Sequence, residues 1–256
     1  MRIYKKVLWV GLCMMFFACS SPQNEVEIVV AAQGIEDGKE LGISLGCTHA
    51  PEPDITTATL ADGKATFRFV SEGPRMYYIK VKDSYGLLKI MADQGDHVKV
   101  RVKADTIPSS NGRIHYVYRD LVVNGSAIHK EYDNRNIDIE RLEVNYPHRE
   151  SRFAPVLLAL QKATTQQQRD SVMATPLGRM MLESETNFNQ MVSNLYEKCF
   201  RENGDSWWGP LLMLDNMNYF SDEMREIYGQ FSERAKESYY GRIAHDLLYP
   251  SERETE

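Results

Sequence analysis

The chain has 256 residues, 30 of them basic and 36 acidic, for a net charge of −6 at pH 7. That balance excludes charge-driven binding to nucleic acid or to an anionic bilayer as the basis of its function. The length accommodates two ordinary domains.

The first eighteen residues read as a leader. Arg2, Lys5 and Lys6 precede an uncharged apolar run, residues 7–18. The run is too short to cross a bilayer, which takes about 20 residues. It ends Phe16-Phe17-Ala18-Cys19-Ser20-Ser21, the form of a bacterial lipoprotein signal, with cleavage after Ala18 and a diacylglycerol on the Cys19 thiol. Each buried methylene contributes about 0.8 kcal/mol, and two or more acyl chains hold a protein stably where one does not. Membrane attachment is therefore expected through Cys19. Ser20 in place of aspartate points to the outer membrane, facing the periplasm; Glu25 and Glu27 come too late and too far apart for an acidic surface-display signal. Without the three leader cations the body holds 27 basic and 36 acidic residues, a net charge of −9.

Residues 19–24 form a tether, after which the chain alternates. Strands are expected at 25–32, 39–45, 55–60, 64–70, 76–81, 87–92, 97–103 and about 115–123. Turns punctuate them at Glu36-Asp37-Gly38, Ala61-Asp62-Gly63, Asp83-Ser84-Tyr85-Gly86 and Gln94-Gly95-Asp96. Asp-Gly supplies the positive φ of a tight hairpin. In 97–103, Val98, Val100 and Val102 share one face and His97, Lys99, Arg101 and Lys103 the other, as a half-buried strand requires. Short strands at this spacing, closed by Asn124-Gly125-Ser126, give an antiparallel β-sandwich over 25–128.

Beyond residue 128 good helix formers dominate. Helices are expected at 153–162 and 165–173, with a longer one opening at Thr175-Pro176 and running to about 201. In the last, Leu177, Met181, Phe188, Met191, Val192, Leu195 and Cys199 recur at three- and four-residue steps. Asn203-Gly204-Asp205-Ser206 breaks it and caps a helix at 207–216. Ser221, followed by Asp222 and Glu223, opens another. A helix at 238–248 precedes a flexible tail, 250–256. The fold class is α+β in two segregated parts, with an all-α domain over 129–249.

Four groups of residues carry a family resemblance: Gly34-x-x-Asp37-Gly38-Lys39; Ala61-Asp62-Gly63-Lys64-x-x-Phe67; Gly73-Pro74 before Tyr77-Tyr78; and Val123-Asn124-Gly125-Ser126. They resemble the N-terminal β-domain of unknown function 4369 in Bacteroidetes lipoproteins of the thiol:disulfide interchange type. Asn203-x-Asp205-Ser206, Tyr228-x-x-Phe231-Ser232 and Ser238-x-Tyr240-Gly241-Arg242 resemble the helical connector that follows it there. The resemblance covers nearly the whole mature chain and implies a thioredoxin-like lipoprotein as partner. The family's active dithiol, Trp-Cys-x-x-Cys, belongs to a thioredoxin-like domain and has no counterpart in this sequence. Without the pair no internal attack resolves a mixed disulfide, so oxidoreductase activity is not carried over.

Other sites are few. Cys47 and Cys199 are the thiols left after the leader and Cys19; the compartment permits a bridge between them, but they are read as lying in different domains, and two buried, inert cysteines are the favoured reading. Cys47-Thr48-His49 is the nearest approach to a metal-ligand pair, but a closed zinc site wants four ligands, so it reads as a loop at a strand end. No nucleophile elbow, zincin motif or phosphate-cradling loop occurs, and no cofactor is implied. Trp207 and Trp208 form a candidate binding patch, with one ring expected inward. Asp105-Thr106-Ile107 and Asp170-Ser171-Val172 are similar to the acceptor triplet of Bacteroidetes periplasmic O-glycosylation, which makes Thr106 and Ser171 candidate glycosylation sites.

The functional expectation is a non-enzymatic, lipid-anchored binding or scaffolding protein. The alternatives are a redox accessory exchanging through Cys47 or Cys199, and a surface module for glycan or peptide built on the loop 83–86 and Trp207-Trp208. Metabolic labelling with a palmitate analogue should mark the wild type, and Cys19→Ala should abolish the label and block processing; undiminished label on the variant contradicts the anchor.

Overall fold

The computed structural model describes residues 24–109, 111–136, 149–217 and 221–250, the side chains of residues 149 and 150 excepted. The leader, Cys19, most of the tether and most of the tail lie outside the described residues.

Among the described residues there are eight strands: β1 (Glu25–Gln33), β2 (Glu40–Leu45), β3 (Thr56–Thr59), β4 (Lys64–Val70), β5 (Arg75–Val81), β6 (Leu88–Ala92), β7 (His97–Pro108) and β8 (Ile114–Asn124). They form two four-stranded sheets, β4-β1-β7-β8 and β3-β2-β5-β6. Neighbours run antiparallel except β1 and β7, which pair in parallel from Glu27 opposite His97 to Gln33 opposite Lys103. The inward rows, among them Ile28, Val30, Phe67, Val98 and Val100 facing Leu41, Ile43, Tyr77, Ile79 and Ile90, form one core. The fold class read from the sequence is the one observed, an α+β chain with its strands and helices segregated.

The two sheets differ on their outer faces. On β4 and β7 the outward residues are exposed, giving strict alternation. On β5 and β6 Met76, Tyr78 and Met91 point outward and are apolar or aromatic, so that both faces of this sheet demand cover. The helices supply it.

Among the described residues there are eight: α1 (Ala127–Arg135), α2 (Arg149–Lys162), α3 (Gln166–Met173), α4 (Pro176–Glu202), α5 (Trp208–Asn216), α6 (Asp222–Gly229), α7 (Glu233–Lys236) and α8 (Tyr239–Leu248). A second core joins Cys47, Met76 and Met91 of the sheet side to Phe200, Trp208, Leu211, Leu212 and Tyr240 of the helices. α5 is buried from Trp208 to Leu214, as an all-round apolar helix must be. The cap at Ser221 forms as expected, and Ser238, read as the first helical residue, caps α8 instead. At α5 the flanking residue is Trp207, which makes no side-chain cap, and Ser206 of the expected capping group accepts from the Trp208 N–H at 3.4 Å.

The sandwich ends earlier than read from the sequence, because Gly125 turns (φ +86°) and Ser126 already caps α1, so Ile128 lies in that helix. A Cβ on Gly125 would stand 2.0 Å from the His97 carbonyl oxygen, so only glycine fits this turn. Ser126 Oγ also donates to the Met91 carbonyl (3.0 Å), and the Met91 N–H donates to Nδ1 of the buried His129 (3.1 Å). These side chains close part of the free edge of β6. Burial holds His129 below its usual pKa, against the pull of Asp133, which keeps Nδ1 an acceptor at neutral pH. Helices α1 and α7 have no counterpart among the expected elements; both are too short and too polar to announce themselves by periodicity.

A single bond shows how closely helix and sheet are joined. Met76 N–H donates to the buried Tyr240 hydroxyl at 2.7 Å. Tyr240→Phe leaves that N–H buried without an acceptor, at a cost of about 1–3 kcal/mol. Urea denaturation should show this loss in one transition; an unchanged midpoint would mean that another acceptor serves Met76.

Candidate functional site

The junction of the outer sheet face with α1 and α5 is polar at one point. Asp215, near the end of α5, has a side chain only 1% exposed. Its Oδ1 accepts from Lys89 Nζ on β6 at 2.8 Å and from the Cys47 thiol at 3.6 Å. Its Oδ2 accepts from the Tyr132 hydroxyl of α1 at 2.6 Å. Asn136 donates to Tyr132 Oη, and Asn216 donates to Asn136, extending the network along the seam. A buried carboxylate tolerates desolvation only with such partners.

Beside this network lies a cleft of about 440 Å³. Its floor is the uncovered half of the outer sheet face, with Ser44, Tyr78, Lys80 and Lys89. Its walls are the loop after β2 and, opposite, Leu214 and Met217. The loop takes the left-handed region at Cys47 (φ +58°) and His49 (φ +56°), which L-residues rarely adopt. Two bonds hold it there: Cys47 N–H donates to Tyr78 Oη (3.1 Å), and His49 Nε2–H donates to the Leu214 carbonyl (2.6 Å). Such strain persists where the surroundings over-determine it.

The formal charges here nearly cancel, but their exposure does not. Lys80 Nζ stands 3.7 Å from Asp54 and Lys89 2.8 Å from Asp215. The lysine side chains remain 44% and 40% exposed, against 22% and 1% for the carboxylates beneath them. A molecule entering the cleft therefore meets the lysine side chains on its floor, with the acid Glu52 on the loop wall. Asp54 packs over Gly42, where a Cβ would lie 2.5 Å from the carboxyl carbon. Among the described residues its Oδ1 is the one buried side-chain oxygen or nitrogen without a hydrogen bond. A second cleft, of about 500 Å³, lies within the helical part between Tyr228, Arg242, His245 and Tyr249.

The thiols do not present a nucleophile. Cys47 and Cys199 are free and buried. Burial pushes the Cys47 thiol well above its ordinary pKa, and the neighbouring Asp215 charge adds to the shift. Burial likewise raises Cys199, whose Sγ–H donates to the Arg135 carbonyl at 3.3 Å. Reactive cysteines are the opposite, exposed and with lowered pKa. Both belong to the second core, so residues read as lying in different domains share one interior.

The other sequence candidates are dispersed. Trp208 is buried in the second core, and Trp207 stacks on it at 4.2 Å and on Tyr240 at 6.0 Å. The recognition-patch reading is thus reduced to the half-buried Trp207. The loop 83–86 joins the sheets at their edge: Tyr85 N–H donates to the Ile114 carbonyl and its carbonyl accepts from Tyr116 N–H. Thr106 is exposed on β7 and Ser171 on α3, the latter donating to the Gln167 carbonyl. Among the described residues no three His, Cys, Asp or Glu side chains are placed to hold a metal, and no helix is long and apolar enough to cross a membrane. Sequence reasoning missed Asp215, Lys80 and Lys89. The available signal for the first was a lone acid in the otherwise apolar stretch Leu211-Leu212-Met213-Leu214.

The site and fold together define a β-sandwich with a helical cover and a cationic-floored cleft at their junction. Compared with protein-family models and with curated proteins, the chain matches none.

A buried thiol reacts only when the structure opens, so alkylation of Cys47 by iodoacetamide should follow unfolding rather than pH. Raising the pH from 7 to 9 should leave it nearly unlabelled, whereas a free thiol, with a pKa of about 8.5, becomes mostly thiolate. Mass spectrometry of the Cys47 peptide measures this; labelling that rises with pH in native protein would refute the assignment.

Proposed function

We propose that this chain is a lipid-anchored binding protein of the bacterial outer membrane, held through Cys19 and facing the periplasm, whose ligand site is the cleft between β5, β6, the loop after β2 and the end of α5. It acts by binding or scaffolding, alongside a thioredoxin-like lipoprotein, and not by thiol chemistry. The observation that carries this reading is the cleft floor, where two half-exposed lysines are held by carboxylates beneath them, the buried Asp215 and the half-buried Asp54. A floor so held is preorganised, and preorganised polar groups in a concave site fix a ligand's orientation. The anchor rests on the sequence from Arg2 to Ser21. The redox alternative loses support from the burial and raised pKa of both thiols.

Hydrogen exchange with mass-spectrometric readout on the full chain in detergent tests the site, using a panel of oligosaccharides and short peptides as probes. Protection should concentrate in segments 44–52, 78–89 and 214–217, and Ala50→Trp at the rim should abolish it. Protection that falls around Trp207 or the second cleft, or that survives Ala50→Trp, would move the site elsewhere.

A further inference from the structure

Resting on that reading of the cleft, we infer that its ligand is an extended peptide carrying a carboxylate, bound by strand addition to the free edge of β6. β6 is the last strand of its sheet, in the order β3-β2-β5-β6. Met91 turns its N–H and C=O away from β5, where His129 and Ser126 take them. Backbone groups in a strand repeat every second residue. Those of Lys89, opposite Tyr78 on β5, therefore also point outward. At the other end Tyr85 spends its N–H and C=O on Ile114 and Tyr116 of β8. The edge is thus closed at Tyr85 and at Met91 and open between them, where Lys89 turns its N–H and C=O outward. Among the described residues Lys89 has no backbone partner on that side, nor has Leu87, which precedes the strand, a backbone partner in a turn or loop.

Open edges are normally blunted or covered, because they template pairing with another chain. Here the open stretch coincides with the cleft, to which Leu87 and Lys89 both contribute. A peptide laid along it gains main-chain hydrogen bonds from the strand, while alternate side chains enter the cleft. Lys80 and Lys89 lie on the same outward face of neighbouring strands, each side chain about two-fifths exposed although each ammonium already pairs with a carboxylate, Asp54 or Asp215. They select a carboxylate among those side chains, or one at the peptide's C-terminus. Leu87, 43% exposed, offers an apolar contact beside them. A glycan favours an open aromatic platform, and the aromatic residue of this floor, Tyr78, is half-buried with its hydroxyl bonded to the Cys47 loop.

The test uses four fluorescent pentapeptides on the full chain in detergent: acetyl-Val-Thr-Val-Glu-Val-amide, its Glu→Gln amide, the Gln peptide as free acid, and the Glu peptide N-methylated at alternate amides. The Glu amide or the Gln free acid should bind by anisotropy, and the tighter of the two identifies the carboxylate as side-chain or terminal. The N-methylated peptide should bind at least about tenfold more weakly, the equivalent of one to two lost hydrogen bonds. Lys80→Gln should weaken the acidic peptide by a similar factor, and exchange at residues 86–90 should slow on binding. Equal affinity for the N-methylated peptide overturns strand addition; equal affinity for the neutral Gln amide overturns the carboxylate. Oligosaccharide protection of the cleft with no peptide binding overturns this inference and leaves the cleft reading intact. Probes that protect no cleft segment overturn both.

Discussion

The Asp215 carboxylate is the point on which the two halves of the molecule depend. Carried by α5, it is buried where strand, loop and a second helix converge, and each of these three contributes a donor: Lys89 from β6, Cys47 from the loop after β2, Tyr132 from α1. A buried charge of this kind is worth little as net stability but a great deal as a constraint, since removing any one donor leaves the remainder desolvated. It fixes where α5 stops on the sheet and how far the loop over Cys47 and His49 folds down. The cleft exists because α5 ends there, covering Met76 and Met91 but leaving Lys80 and Lys89 open.

Much of this was legible in the sequence. Strict alternation located β1, β4 and β7, and the turns fell where Asp-Gly and Asp83–Gly86 required positive φ. The long α4 was visible in its three-and-four spacing, and Thr175-Pro176 marked its start. The doubly buried sheet was also written in the chain, for Met76, Tyr78 and Met91 sit at outward positions that a solvated face would give to polar residues. Read as strands alone, they revealed the secondary structure and hid the docking.

The site was far less legible, for a physical reason. Lys80, Lys89 and Asp215 are separated by up to 135 residues and carry no motif. Their pairing is a consequence of tertiary packing, not of local spacing. The cysteines show the converse. Cys47 and Cys199 are conspicuous in a sequence, yet the fold makes them two buried, protonated contacts in one interior. The conspicuous tryptophans are likewise absorbed into a stack that runs from Trp208 through Trp207 to Tyr240.

The parallel pairing of β1 with β7 bears on the order of assembly. β1 is the first strand along the chain but an interior one in its sheet, flanked by β4 and β7. Its neighbours begin at Lys64 and His97, so neither flank can be filled by the adjoining hairpin. Contacts so distant in sequence exact a loop-closure entropy before they return any stabilisation, and topologies dominated by them fold in milliseconds to seconds. Until the seventh strand arrives, the first has an unpaired apolar edge. Completion of this sheet therefore waits on residues 97–103, and until then the segment from Glu25 to Gln33 is open to pairing with the wrong chain.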